Sequence, residues 1–300
     1  MIASLSKNTI SQYSVTYKIW WMFCKDNNLN VFEYCPRSVL QFLTEQYNKG
    51  SAYGTLNNHR SALSLLLGGE VGADEQIKRL LKGAYRSRPA TPKYVRTWDP
   101  KIVLDHIASF GPNKELSLEK ITKKLVILLT LCTGQRVQSL SLIKLSNIIK
   151  CANGIKIVIS DIIKTSAPGR EQPMLFLPYY ESNKDICPAT TLEDYVTITA
   201  NLRSKESEYL LLTIKSPHKV ACAQTISRWV KQTLGESGVD VSVFSAHSTR
   251  HASTSAARSA GVSLDIIRKT AGWTKTSEAF AKFYHRPIID EGNFAKAVLD

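Results

Sequence analysis

Apolar residues recur along the first eighty positions at three- and four-residue steps, the spacing that gathers them on one side of an α-helix. Ile10, Tyr13, Tyr17, Trp20 and Cys24 make one such stripe. Val39, Phe42, Leu43 and Tyr47 make a second, which starts behind Pro36 and stops at Gly50. Leu56, Leu63 and Leu66 mark a third. Asp74, whose carboxylate can accept from the free N–H groups of a first turn, opens a fourth over Ile77, Leu80 and Leu81, with Gly83 beyond its end. Nothing here alternates as a strand does, so residues 1–83 read as a bundle of short helices.

The periodicity lapses over residues 84–97, AYRSRPATPKYVRT, where two prolines and four basic residues (Arg86, Arg88, Lys93 and Arg96) sit without an apolar face. This is the composition of an extended, positively charged linker. A second domain, 98–300, opens at Trp98-Asp99-Pro100, a capping residue followed by proline at the first helical position. A strong helix is expected at about 117–132, with Leu118, Ile121, Leu125, Leu129 and Cys132 on one face. The β-forming runs IKIVIS (155–160) and MLFLP (174–178) bracket a polar stretch and predict a small antiparallel sheet. Helical spacing returns at about 189–201, 223–235, 247–260, 263–271 and 277–285, and residues 290–300 can form one more. The fold class is therefore mainly α, a helical first domain followed by an α-rich domain with a small antiparallel sheet.

Charge sharpens this picture. Lys and Arg outnumber Asp and Glu by 39 to 25. Residues 1–98 and the remainder each carry a net +7, so the excess is spread over both domains and suits a polyanionic partner. No segment approaches the ~18 continuous apolar residues of a membrane span. The N-terminal stretch MIASLSKNTI lacks the pattern of a secretory signal, so an intracellular protein is expected. The six cysteines form no CxxC pair and no Cys/His cluster of zinc spacing, and are expected to be reduced thiols. No Walker-type glycine loop and no metal-binding carboxylate cluster stands out, so neither cofactor nor metal is expected.

Breaking a phosphodiester without a metal needs a nucleophile, fixed cations for the non-bridging oxygens and a proton for the leaving oxygen. Arginine suits the cationic role because its planar fork matches two oxygens and stays charged. Thr133-Gly134-Gln135-Arg136 follows the strong helix directly, with Gly134 able to turn the chain and present Arg136 at the start of the next helix. Lys164 lies between the two expected strands. His247 and Arg250 of His247-Ser248-Thr249-Arg250-His251 are three apart and share a helix face. Gly272-Trp273 and Phe283-Tyr284-His285-Arg286 come later. Singly, each has an ordinary structural explanation: a helix cap, a solvated lysine, a packed aromatic.

Together and in this order they resemble the tyrosine recombinase (phage integrase) family, whose motif order is Arg, Lys, HxxR, His or Trp, then Tyr. TGQRVQSLSLIKLSNI resembles its first arginine box, HSTRHASTSAARSAGVSLDIIRKTAGW its second, and FAKFYHRP its nucleophile segment. Residues 1–97 resemble its helical core-binding domain. KTSAPGR, AGW and KFYHRP are similar to recombinases of eukaryotic mobile elements, the Crypton and DIRS-type groups, which implies a nuclear protein. The resemblance implies that Tyr284 attacks the scissile phosphate and forms a 3′-phosphotyrosyl link. It implies that Arg136 and Arg250 hold the non-bridging oxygens, that Lys164 protonates the leaving 5′ oxygen, and that His247 moves the tyrosine's proton. Trp273 takes the second His/Trp position, where its indole can donate but cannot shuttle a proton. His251 is expected in a supporting role outside this set. Two departures stand out: Ser139 replaces the acidic residue often found three positions after the first arginine, and eleven residues separate Trp273 from Tyr284.

The resemblance further implies a C-shaped clamp on double-stranded DNA, two protomers per site and four in the recombining assembly, with residues 287–300 as an exchanged C-terminal segment. Lys7, Lys18, Arg60, Lys78, Arg79 and Lys82, with the linker's Arg86, Arg88, Lys93 and Arg96, are candidate phosphate contacts, and Asn57, Asn58 and Arg60 candidates for base edges. Two competing readings are a non-catalytic, domesticated DNA-binding protein, whose mark would be decay of the motif set, and a type IB topoisomerase, which would relax DNA without a specific site.

Overall fold

The structure, a computed structural model, describes residues 4–89, 93–204, 207–274, 284 and 299. The chain divides into two compact units, residues 1–92 and 93–300. The expected helices 277–285 and 290–300, and the tail 287–300, lie outside the described residues apart from Tyr284 and Leu299.

The first unit holds α1 (Lys7–Asp26), α2 (Pro36–Asn48), α3 (Tyr53–Leu67), the single turn α4 (Glu70–Ala73) and α5 (Glu75–Ser87). Its core is an aromatic knot. Trp20 stacks on Phe23 with ring centroids 5.5 Å apart, and Phe42 meets both edge-on at 5.3 and 5.5 Å. Leu56, Leu63, Ile77 and Leu81 fill the space around it. The buried face of α1 is rotated from the expected stripe: Thr16, Trp20, Phe23 and Cys24 turn inward while Ile10 remains 38% exposed. A polar contact explains part of the rotation. Thr16 Oγ1 lies 2.9 Å from Nδ1 of the buried His59 on α3, an interhelix bond that hydrophobic periodicity cannot register.

Asp74 caps α5 as expected, its Oδ1 accepting from the N–H groups of Gln76 (2.8 Å) and Ile77 (2.9 Å). The helix does not stop at Gly83. It runs to Ser87 and buries Ala84, so the expected linker 84–97 is shorter at its first end. It is shorter at its second end too: Tyr94, Thr97 and Trp98 are buried in the second unit. The aromatic residues decide this, since Tyr94 and Trp98 find apolar partners that a loop of that composition would lack.

The second unit is built around α7 (Leu118–Thr133), whose residues Ile121–Thr130 are all buried. A helix enclosed on every side must be apolar on every side. The exceptions are satisfied locally: Lys123 bridges Glu119 and Glu236, each at 2.8 Å, and Lys124 Nζ donates to the Gly111 carbonyl at 3.2 Å. Packed on or near α7 are α6 (Pro100–Ala108), the short α8 (Val137–Leu140), α9 (Pro188–Thr199), α10 (Ala223–Glu236) and α11 (Ser248–Ser259), with α12 (Leu264–Ala271) against α11. Asp99 caps α6 and Pro100 opens it, as the sequence predicts. The sheet is antiparallel, in the order β1 (Ile148–Cys151), β2 (Gly154–Val158), β3 (Met174–Pro178). Ile155 pairs with Leu177 and Ile157 with Leu175, placing four buried side chains on the face toward the core. The edge strand β1 was not expected; its half-exposed, four-residue pattern carries no alternation long enough to read. Gly154 is required behind the β1–β2 turn, because a Cβ there would run into the Leu177 carbonyl oxygen.

Asp74→Ala is expected to destabilise the first unit by about 1–2 kcal/mol, since it removes a cap bonded to two backbone N–H groups. It also removes the acceptor of the Tyr34 hydroxyl, 3.0 Å away. Urea unfolding followed by tryptophan fluorescence measures the loss.

Candidate active site

Gly134 ends α7 in the left-handed conformation, φ +57°, and turns the chain so that Arg136 becomes the half-buried N-cap of α8. The carbonyl of Gly134 accepts from Nη1 of Arg250. Arg250 projects from the first turn of α11 and is only 1% exposed. Its Nε and Nη2 make no hydrogen bond of full geometry among the described residues, and the guanidinium has the Tyr284 hydroxyl as a neighbouring side-chain partner. Burial pushes its pKa down to about 9, with the neighbouring charge of Arg136 adding to the effect and Tyr284 opposing it, so it is protonated at neutral pH.

Tyr284 is drawn into the same place. Its hydroxyl lies 2.9 Å from Nε2 of His247, and its carbonyl accepts from Ser255 Oγ at 2.9 Å. The Arg250 guanidinium carbon lies 5.4 Å from its ring centre and 4.0 Å from that of Trp273, whose ring is 4.8 Å from Tyr284. Trp273 follows Gly272, the left-handed cap of α12 at φ +70°. Two side chains hold that turn: Gln135 Nε2 donates to the Thr270 carbonyl at 2.6 Å, and Arg170 Nη2 donates to the Gly272 carbonyl at 3.4 Å.

His247 caps α11, with part of its ring at the surface. Its pKa is pushed down to about 4. The atoms packed around the ring are the largest cause, followed by the charges of Arg250, Arg136, Lys93 and Lys164. All four charges are positive, so they locate the cations that the site gathers. Lys164 stands exposed in the β2–β3 connection, on a turn closed by Ser166 N–H donating to the Ile163 carbonyl at 2.9 Å. Lys93 was expected only as a linker phosphate contact; the structure sets its Nζ 3.5 Å from Ser245 Oγ, two residues before His247.

His247, Tyr284, Arg250 and Trp273 are thus joined by contacts, and the charges of Arg136 and Lys164 act on His247. The sequence reading did not assign Gln135 and Arg170 to the site, although both lie inside the quoted motifs TGQR and KTSAPGR. Ser255 lies within the quoted second box without being singled out, and Tyr94 carries no motif signal. Of the other basic candidates, Lys7, Lys18, Arg79, Lys82, Arg86 and Arg96 are exposed. Lys78, Arg79, Lys82 and Arg86 fall on one face of α5, opposite buried Ile77, Leu81 and Ala84, with Lys78 paired to Glu75 at 2.8 Å. Two candidates are engaged internally: half-buried Arg60 donates to the Gly72 carbonyl at 3.4 Å, and Arg88 donates to the Tyr47 carbonyl at 2.9 Å while lying over the Tyr47 ring. Asn57 and Asn58 are half-buried. Among the described residues no group of His, Cys, Asp and Glu can hold a metal ion, and no helix is long and apolar enough to cross a membrane.

Residues 104–287 match the Phage integrase family, and the chain belongs to it. It is a tyrosine-type DNA recombinase, an enzyme that cleaves and rejoins DNA strands. The fold is shared with solved recombinases. The Tn1549 transposon integrase in complex with transposon right end DNA superposes with a TM-score of 0.63 at 15% identity, covering 98% of this chain and 93% of that one. XerH site-specific recombinase bound to palindromic difH substrate, in a post-cleavage complex, gives 0.58 at 16% identity, covering 86% and 69%. A lambda integrase tetramer bound to a Holliday junction gives 0.57 at 16% identity, covering 96% and 74%. No curated protein matches by sequence.

The cations predict a titration. The imidazole of His247 should stay neutral as pH falls to about 4, against ~6.5 for a free histidine. Between those values the unfolded chain binds the extra proton, so this group's contribution to stability is complete above pH ~6.5 and is lost as pH falls through the folded value. Arg136→Gln should raise the midpoint, which NMR of the ring carbons follows directly.

Proposed function

We propose that the protein performs site-specific strand exchange on double-stranded DNA through a 3′-phosphotyrosyl intermediate formed by Tyr284 in its own protomer's site. One observation carries this reading: the Tyr284 hydroxyl is bonded to His247 and lies beside the buried guanidinium of Arg250. A phosphodiester offers two non-bridging oxygens, the complement of that guanidinium and of Arg136. His247, held neutral, accepts the phenolic proton as the oxygen attacks phosphorus. The bond to the 5′ oxygen breaks, and Lys164, on its exposed turn, supplies the proton that this oxygen takes up. Trp273 stacks under Arg250 and directs its indole N–H to the phosphate. Because the tyrosyl ester keeps the free energy of the broken linkage, rejoining requires no nucleotide. The exposed basic face of α5, with Lys7, Lys18, Lys93 and Arg96, contacts backbone phosphates, and the salt dependence of binding is steep because counterions are released.

The neighbours of known structure include a dimer and a tetramer on DNA. We extend this to the chain as two protomers per site and four in the recombining complex, with residues 287–300 as the exchanged segment. Its motifs KTSAPGR, AGW and KFYHRP favour placement with recombinases of eukaryotic mobile elements, and hence a nuclear site of action. A fluorescent fusion excluded from nuclei would argue against that placement.

A target recovered by binding selection from randomised duplex DNA, then nicked beside the scissile phosphate, should trap a covalent protein–DNA adduct. Tyr284→Phe should form none; an adduct in that variant would mean another nucleophile. Arg136→Ala and Arg250→Ala should each slow cleavage by at least ~10²–10³-fold, with DNA affinity within a few-fold. Lys164→Ala should be slow on the normal substrate and recover when sulfur replaces the bridging 5′ oxygen, since a thiolate leaves without a proton. A mixture of Tyr284→Phe and Arg250→Ala protomers should remain inactive, because nucleophile and clamp come from one chain.

A further inference from the structure

The reaction just described assigns no task to the ring that lies flattest against the nucleophile. His251 is nearly parallel to Tyr284, with centroids 4.3 Å apart and planes inclined by 23°. The ring of Tyr94 meets His251 edge-on at 4.9 Å and 81°. Tyr94 is itself fixed: it is 3% exposed, its hydroxyl lies 2.7 Å from Ser245 Oγ, and the same oxygen accepts the Ser245 N–H at 3.2 Å. Ser245 stands two residues before His247. Four residues after Tyr94, and no longer part of the stack, Trp98 donates from Nε1 to Ser248 Oγ at 2.8 Å, so the segment 93–98 is fastened at two points to the turn that carries His247.

We infer that His251 and Tyr94 are positioning residues for the nucleophile, forming an aromatic column that sets the plane of the Tyr284 ring. The inference rests on the roles given above to Tyr284 and His247. The bond to His247 holds the phenolic oxygen, the bond from Ser255 holds the backbone, and Trp273 packs at a tilt of 55°, which leaves the plane of the ring to be set by a parallel neighbour. In-line attack requires the phenolic lone pair, whose direction turns with the ring plane, to face phosphorus, and loss of a near-attack geometry can cost ~100-fold in rate. A flat ring stacked on the phenol removes that freedom, provided it is itself held, and Tyr94 packs edge-on against it. The column also ties the nucleophile to the segment that bears exposed Lys93 and Arg96. DNA phosphates engaging those two side chains therefore act on the same backbone that props up Tyr284.

The test uses the full chain on the selected, nicked duplex under single-turnover conditions, with saturating DNA and with either oxygen or sulfur at the 5′ bridging position. His251→Ala should slow adduct formation by about 10–100-fold on both substrates, because alignment is lost and not the leaving-group proton. His251→Phe, which keeps a flat ring, should recover to within a few-fold of the parent. Tyr94→Leu should slow the same step, and combining it with His251→Ala should add little, since both act through one column. DNA affinity should change less than about two-fold throughout. The inference is overturned if His251→Ala cleaves at the parental rate, if Phe is no better than Ala in folded protein, or if sulfur rescues the Ala variant. Should His251→Ala fail to fold, Tyr94→Leu decides: slow cleavage at unchanged affinity supports the column, and parental cleavage removes it. Failure of the underlying chemistry reads out separately, as an adduct that survives Tyr284→Phe.

Discussion

Arg250 and the carbonyl of Gly134 form the contact on which the rest of the site depends. A guanidinium that is 1% exposed has to be held by the protein in a chosen orientation, because water is not there to solvate it. The carbonyl belongs to the cap of α7, the negative end of a helix that is buried over most of its length, and that end favours a cation. The left-handed turn at Gly134 is what directs the carbonyl to Arg250 and sends Arg136 on to the next helix. One glycine therefore sets two arginines. The bond also joins residues 116 positions apart, so the site forms only once α7 and α11 have packed.

The assembly works against itself electrostatically. Arg136, Arg250, Lys93 and Lys164 all act on His247 with the same sign, and burial of Arg250 adds a desolvation cost to their repulsion. The stabilising contribution lies elsewhere: the all-round burial of α7, the layer of Ile155, Ile157, Leu175 and Leu177 from the sheet, and the enclosure of Tyr94 and Trp98. The aromatic rings relieve part of the cost at close range. The Arg250 guanidinium lies 4.0 Å from the centre of Trp273, a stacking geometry worth roughly 0.5–2 kcal/mol depending on desolvation. Tryptophan at this position supports the cation by its face, a role independent of proton transfer.

Much of this was legible in the sequence because it is local. Helix spacing found α2, α7, α9, α10, α11 and α12 nearly to the residue and marked α3 by its stripe, and β-forming runs found β2 and β3. Caps at Asp74 and Asp99 are written as side chains next to the N–H groups they satisfy. What escaped depends on the third dimension. The inward face of α1 is set partly by Thr16 meeting His59, 43 positions away, and the end of α5 by the burial of Ala84. The six candidate site residues were readable because each sits in a distinctive short motif. Their supports were not: Tyr94 reaches Ser245 across 151 positions and Gln135 reaches Thr270 across 135, and no local pattern marks either pair. His251 was readable as a support for the site, but its partner could not be named before the fold brought Tyr284 over it.

Burial of the ring, and after it the four cations that suit the site to an anion, depress the pKa of His247. In the protein alone, an imidazole pushed down to about 4 is a weak base for the hydroxyl it faces. A phosphodiester placed among the four cations brings a negative charge within the range over which they act on the ring. Its field opposes theirs, so the imidazolium form becomes less costly and the imidazole a stronger base at the moment a substrate phosphorus is in reach. On the proposed mechanism, proton transfer from Tyr284 is thereby coupled to occupation of the site by an anion, since the cluster proposed to bind the phosphate also keeps His247 a poor base until the phosphate is there.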